Sequence, residues 1–291
     1  MTPDYFIFVP AFNVAATLAG VLGRIPPAVM ARATVLVIDD GSKDDTRGVF
    51  EGFVAGEAGL AGSDCAGDNR GASGLTYAAH LQYMRFERNL GYGAVVKRGI
   101  SEGLRSGAKY IGCLHGDGQY PAEQLGEFFA HLETADCSPA GNPPENAAPE
   151  LNLRGQSEDH APADNLSAIA LVQGSRRLVP GAARAGNMPL HKRIGGAFLT
   201  ALENIAFRQK LTDRHSGFIV YNADFLKTLD LAKLSPSFDI DLEIISIADV
   251  RGYRLAELPI PTRYAGEKSN LNVVTYGLRV LRQTWRRFCL R

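Results

Sequence analysis

Apolar residues along the chain gather in short runs that end on polar or glycine-rich punctuation. The first, Tyr5-Phe6-Ile7-Phe8-Val9, stops at Pro10; a helical period over residues 15–24 follows, until Pro26 and Pro27 forbid continuation. The second, Thr34-Val35-Leu36-Val37-Ile38, is continuously apolar, as a strand buried on both faces must be, and ends on Asp39-Asp40-Gly41-Ser42. A helix is expected from about residue 44. Residues 55–74, rich in glycine, alanine and serine, predict an exposed excursion before a strand over 80–87. Asn89-Leu90-Gly91-Tyr92-Gly93 opens a helix continuing through 94–105, and residues 109–114 predict a strand ending in His115-Gly116-Asp117-Gly118-Gln119.

From 136 to 167 the apolar period gives way to proline, asparagine, alanine and acidic residues, which predicts a disordered insertion. Beyond it the pattern predicts a strand over 168–173, a helix over 190–207, a strand over 218–221, a helix over 239–250 and a strand over 254–258. Strands alternating with helices imply one α/β domain over residues 1–270, with a mostly parallel sheet and helices on both faces. Its ligands are expected beyond the carboxyl ends of the strands.

With 291 residues and 45% hydrophobic content the chain can bury a full core. Lysine plus arginine equals aspartate plus glutamate at 31 each, so no global basic field draws in nucleic acid. Four scattered cysteines suit a reducing compartment, and no run has the apolar length of a bilayer span; a cytoplasmic protein, soluble or peripheral, is expected. Residues 271–291 carry Arg279, Arg282, Arg286, Arg287 and Arg291 interleaved with apolar side chains such as Trp285 and Phe288. They predict a basic amphipathic helix that lies on an anionic membrane surface or docks on the core.

Three acidic groups fall at the ends of predicted strands: Asp39-Asp40, Asp117, and Asp213 just before Ser216-Gly217-Phe218. An open α/β sheet brings such ends to one rim, where carboxylates can share a cation or grip sugar hydroxyls. For Asp44 and Asp45 the capping of a helix is the better reading.

The ordered set Val9-Pro10-Ala11-Phe12-Asn13, Val37-Ile38-Asp39-Asp40-Gly41-Ser42, Arg88-Asn89-Leu90-Gly91-Tyr92-Gly93, His115-Gly116-Asp117-Gly118-Gln119-Tyr120-Pro121, Gly174-Ser175-Arg176 and Thr212-Asp213-Arg214-His215-Ser216-Gly217-Phe218 resembles the glycosyltransferases of family 2. These have the Rossmann-like GT-A fold, and the resemblance is strongest to the branch of dolichyl- and polyprenyl-phosphate sugar synthases. It implies an inverting hexosyl transfer from a UDP- or GDP-sugar to a polyprenyl phosphate, or to a sugar hydroxyl of a growing glycan. A sugar-binding relative without catalysis is the further alternative. Carried over by position, Pro10, Ala11, Asn13, Asp39, Asp40, Gly91, Gly93 and Lys97 would hold the nucleotide. Arg176 and Lys192 would stabilise phosphate, and Asp213 would deprotonate or orient the acceptor. The family's Asp-x-Asp is altered, since His115 stands for the first aspartate. If the segment is extended, His115, Asp117 and Gln119 alternate onto one face toward a Mg²⁺ or Mn²⁺ ion, and an imidazole suits manganese better. Residues 263–270 are expected to close over the donor.

Overall fold

The computed structural model describes residues 2–60, 77–137, 168–181, 190–207 and 210–261. The predicted insertion beyond residue 137, the closing loop at 263–270 and the basic helix of 271–291 lie outside the described residues, as do the side chains of His191, Lys192 and Arg193.

Seven strands form one sheet: β1 (Tyr5–Ala11), β2 (Ala33–Asp39), β3 (Leu81–Arg85), β4 (Tyr110–Cys113), β5 (Ile169–Ser175), β6 (Ile219–Asn222) and β7 (Arg254–Pro259), in the order β3-β2-β1-β4-β6-β5-β7. The pairs β1·β2, β1·β4, β2·β3 and β5·β7 are parallel, and only β6 runs antiparallel to its neighbours β4 and β5. The helices are α1 (Leu18–Leu22), α2 (Pro27–Met30), α3 (Thr46–Leu60), α4 (Tyr92–Ser106), α5 (Leu125–Cys137), α6 (Leu190–Phe207), α7 (Ala223–Lys227) and α8 (Ile240–Val250).

The central strand β1 shows why its residues read as a continuous apolar run. Tyr5, Ile7 and Val9 face a core made with Leu18, Val21, Leu22, Phe128 and Phe129, whereas Phe6 and Phe8 face a second core with Val96, Ile100, Ile240 and Ile244. Alternate side chains point to opposite faces, so helices covering both leave no place for a polar residue. Each such side chain, fully buried, contributes about 1.5–3 kcal/mol. Helix α4 lies close on β1 because Gly99 has no side chain; a Cβ there would strike the Phe8 ring.

The structure differs from the sequence expectation at several elements, among them the helices Pro27–Met30 and Ala223–Lys227, which no expectation covered. Helix α3 continues to Leu60, into the stretch expected as an excursion. Helix α5 runs to Cys137, past the expected start of the insertion. It buries Leu125, Phe128, Phe129 and Leu132, a helical spacing that the proline at 121 and the polar stretch beyond it obscured. The antiparallel β6 follows from pairing partners far apart in sequence, which no local pattern reports.

Candidate active site

The topology gathers one rim. Strands β2, β1, β4 and β5 end at it, and β6, being antiparallel, begins there. Asp40 after β2, Asp117 after β4, Arg176 after β5 and Asp213 before β6 therefore share an edge. Backbone bonds join its parts: Asp40 N–H donates to the Ala11 carbonyl (2.8 Å), Gly116 N–H to the Pro10 carbonyl (3.0 Å), and Gly174 N–H to the Phe218 carbonyl (2.8 Å).

At the β1–β2 side the two adjacent aspartates are bound to the chain's own groups. Asp39, fully buried, accepts from Ser42 N (2.7 Å) and Tyr83 Oη (2.5 Å), with the Arg85 guanidinium 3.6 Å away. Asp40 accepts from Leu90 N (2.6 Å) and Gly91 N (3.0 Å); burial raises its carboxyl above the ordinary value, and those two bonds oppose the rise. Asn13, at φ +54°, accepts from Lys43 N (2.7 Å) and so ties the loop after β1 to the loop after β2. Asp44 accepts from Ala15 N and from Thr46, and Asp45 from Gly48 N (3.2 Å), in the capping roles expected.

The glycines and the lysine expected along the nucleotide meet the protein itself. Gly91 adopts φ +90°, which favours glycine, and a Cβ on Gly93 would collide with the backbone of Pro236. The close approach that excludes a side chain at Gly93 is thus to the 235–237 segment. The ammonium of Lys97 binds the carbonyls of Leu234 and Ala232. Pro10 and Ala11, expected in the loop after a strand ending at Val9, are the last two residues of β1, with Ala11 buried.

The segment after β4 is not extended. It turns at Gly116 and Asp117, Gly118 takes φ +79°, and Asp117 Oδ1 accepts from Gln119 N (3.0 Å). Strict alternation of His115, Asp117 and Gln119 onto one face is therefore lost, because a turn breaks the period of two. Among the described residues no group of three or more histidine, cysteine, aspartate or glutamate side chains could hold a metal ion. Asp117 keeps a carboxylate at this turn, a group that could sit beside an ion held largely by a diphosphate.

His115 is wedged in a specific place. Its Nε2 lies 3.2 Å from Tyr92 Oη, its ring tilts against that of Tyr92 (5.3 Å between centroids), and it meets Tyr120 edge-on (5.1 Å). Burial lowers its basicity, while Asp117 raises it and Arg176 lowers it further. Tyr92 in turn donates to Asp241 (2.8 Å), and burial pushes the Asp241 carboxyl up to about 7. Tyr120 accepts from Gly217 N (2.9 Å), and burial raises its phenol above the ordinary value, with Arg176 opposing the rise and Asp117 and Asp213 adding to it.

Arg176 and Asp213 form a two-pronged ion pair at the rim. Arg176 Nε and Nη2 donate to Asp213 Oδ2 (2.6 Å) and Oδ1 (2.9 Å), and Nη2 also donates to the His215 carbonyl (3.0 Å). Burial alone would raise the fully buried Asp213, but Arg176, with Arg177 adding to it, holds the carboxyl below its ordinary value. From β7, Glu257 accepts from Thr212 N (2.7 Å), Thr212 Oγ1 (3.0 Å) and Asp213 N (3.0 Å), fixing the loop that presents Asp213. The bonds made by Glu257, Tyr92 and Asp241 escape sequence reasoning, because their partners lie far away along the chain; Asp241 itself stands in the alternating stretch Asp239-Ile240-Asp241-Leu242-Glu243. Lys192 lies in the first turn of α6.

Solved structures of glucosyl-3-phosphoglycerate synthase from Mycobacterium tuberculosis share this fold. The form with Mn²⁺, uridine diphosphate and glucosyl-3-phosphoglycerate has a TM-score of 0.57 at 14% identity, covering 98% of this chain and 80% of that one. The form with Mn²⁺ and uridine-diphosphate-glucose has a TM-score of 0.57 at 14% identity, covering 98% and 79%. In sequence, the chain is 26% identical over 253 residues to an undecaprenyl-phosphate mannosyltransferase of Micrococcus luteus, covering 87% of this chain and 80% of the relative. It is 29% identical over 113 residues to the low-salt glycan biosynthesis hexosyltransferase Agl6 of Haloferax volcanii, covering 38% of this chain and 26% of that protein. The family model for glycosyl transferase family 2 matches residues 6–229, most of the sheet and the whole rim up to β6, and the chain belongs to that family, with the GT-A fold.

Proposed function

We propose that this glycosyltransferase moves a hexosyl unit from a UDP- or GDP-sugar to a polyprenyl phosphate, with inversion at the anomeric carbon. The observation that carries the acceptor class is the Arg176–Asp213 pair. A sugar hydroxyl must lose its proton during displacement, and the base that takes it works best with a pKa near the working pH. Asp213, held below the ordinary carboxylate range by Arg176, is poorly suited to that task. A phosphate acceptor is already anionic and needs orientation only. The likeness to the undecaprenyl-phosphate mannosyltransferase supports the same acceptor.

In this reading the acceptor oxygen attacks the anomeric carbon from the face opposite the diphosphate. The new carbon–oxygen bond forms as the bond to the diphosphate breaks, and the nucleoside diphosphate leaves with the electron pair. The loops built by Pro10, Ala11, Asn13, Asp39, Asp40, Gly91, Gly93 and Lys97 shape the nucleoside side. Arg176, with Lys192, meets phosphate charge through donors that are fixed before the reaction. Asp117 would hold a Mg²⁺ or Mn²⁺ ion together with the diphosphate, His115 and Gln119 being the further candidate ligands of that turn, and the ion would supply positive charge that neutralises the departing diphosphate. Residues 1–270 act as one catalytic domain and 271–291 as a basic segment toward an anionic membrane surface; no helix among the described residues is long and apolar enough to cross a membrane.

The test is a panel of UDP- and GDP-hexoses assayed with Mn²⁺ or Mg²⁺, with undecaprenyl phosphate, with a glycan acceptor and with neither. Transfer to the lipid phosphate is expected. Transfer confined to the glycan hydroxyl would overturn the acceptor assignment and favour the alternative raised by the hexosyltransferase relative. Loss of all metal-dependent nucleotide binding would overturn the enzyme reading.

A further inference from the structure

We propose that Asp241 and Tyr92 are positioning residues that hold His115 as its Nε2-protonated tautomer, so that Nδ1 is the nitrogen His115 offers to the metal ion of the donor. The inference rests on the metal-assisted reading above and deepens it.

Proton counting along the chain of contacts gives the tautomer. Asp241 accepts from Tyr92 Oη (2.8 Å) and from Tyr221 Oη (3.4 Å). A phenol has one proton, and with Asp241 ionised, as at the pH 8 of the test below, that of Tyr92 goes to the carboxylate. Its oxygen then faces His115 Nε2 at 3.2 Å as an acceptor, so Nε2 must carry the hydrogen. Neutral imidazole has a single N–H, and the lone pair is left on Nδ1.

The surroundings keep the ring from turning over. A Cβ on Gly217 would lie 2.5 Å from Nε2 and 3.0 Å from Cε1, so only glycine admits the imidazole here. Tyr120, which closes the other side edge-on, is itself held by the Gly217 N–H. Tyr92 is backed by Phe238, stacked at 5.3 Å with 10° between planes. Carboxylate, phenol and imidazole thus form a relay running from α8 through α4 to the rim. It does by way of a tyrosine what a carboxylate bonded directly to a metal-binding histidine does elsewhere: it fixes which nitrogen is available and how the ring is aimed.

The experiment uses the full chain labelled with ¹⁵N-histidine at pH 8, with long-range ¹H–¹⁵N spectra recorded without metal. The His115 signals are assigned by their loss in His115→Gln. The expected pattern is protonated Nε2 and unprotonated Nδ1; the reverse pattern overturns the proposal in the unmutated protein. Asp241→Leu releases the Tyr92 proton, and the spectrum is expected to shift toward the Nδ1-protonated form. An unchanged tautomer there removes Asp241 from the relay.

Mn²⁺ affinity, read by electron paramagnetic resonance in the presence of UDP or GDP, is the second measurement. Tyr92→Phe is expected to weaken it by roughly ten- to a hundredfold. Unchanged affinity in Tyr92→Phe or in His115→Gln overturns the metal role of Nδ1, while loss of Mn²⁺ binding in Asp117→Asn still upholds the wider reading. Absence of Mn²⁺ binding in the unmutated protein sinks both.

Discussion

Both oxygens of Asp213 are gripped by the single guanidinium of Arg176, at 2.6 and 2.9 Å. The planar fork matches the carboxylate, and a lysine offers only a point charge. Arg176→Lys is therefore expected to cost about 1–3 kcal/mol in stability, in the range of charged hydrogen bonds left unmade. Transfer to a lipid phosphate should fall at least tenfold in kcat/KM. Denaturant titration and steady-state kinetics check the two effects; wild-type values in both would show that the pair does nothing at this rim.

Asp117→Asn should abolish metal-dependent turnover and leave the fold intact. The asparagine carbonyl can still accept the Gln119 N–H that now goes to Asp117 Oδ1, so the turn survives while the charge for a cation is lost. Thermal unfolding and Mn²⁺-dependent activity measured together give the result. Full activity in this variant rules Asp117 out as a ligand.

Gly93→Ala tests the approach of α4 to the 235–237 segment. The added Cβ meets backbone at Pro236 and Ser237, which cannot swing aside as a side chain end can. Overpacking of this kind costs about 1–3 kcal/mol. An unchanged denaturation midpoint would show that the segment gives way freely.

Asp241 sets a pH dependence. Burial raises its carboxyl from 3.8 to about 7 in the folded protein, so its contribution to stability is fully present below the unfolded value and is lost as pH rises through about 7. Asp241→Asn lacks this titration. The stability of the variant relative to the unmutated protein should therefore rise between about pH 4 and 7 and level off above, by at most roughly 4 kcal/mol. Urea unfolding across that range reads it; a difference independent of pH would place the carboxyl in a far more hydrated setting.

The candidate site was legible in part because its residues end strands. Asp40, Asp117 and Asp213 each follow or precede a run whose apolar character is a local matter, and the α/β plan then puts them on one edge. Their bonds were not legible. Nothing beside Asp39 announces Tyr83, and nothing beside Asp213 announces Glu257 or Arg176, which lie tens of residues away. The same distance hid the close approach of the 235–237 segment to Gly93.

Short-range pattern by itself determined the strands β1 and β2, the limits of α6 and the order of the rim motifs, because burial on one face or two imposes a period that neighbouring residues carry together. Only the tertiary structure decided that β6 runs against its neighbours, that the segment after β4 turns at Asp117, and that His115 answers to Asp241 through Tyr92. Those features depend on which distant groups meet in a desolvated space, where one unpaired donor or charge outweighs any local preference.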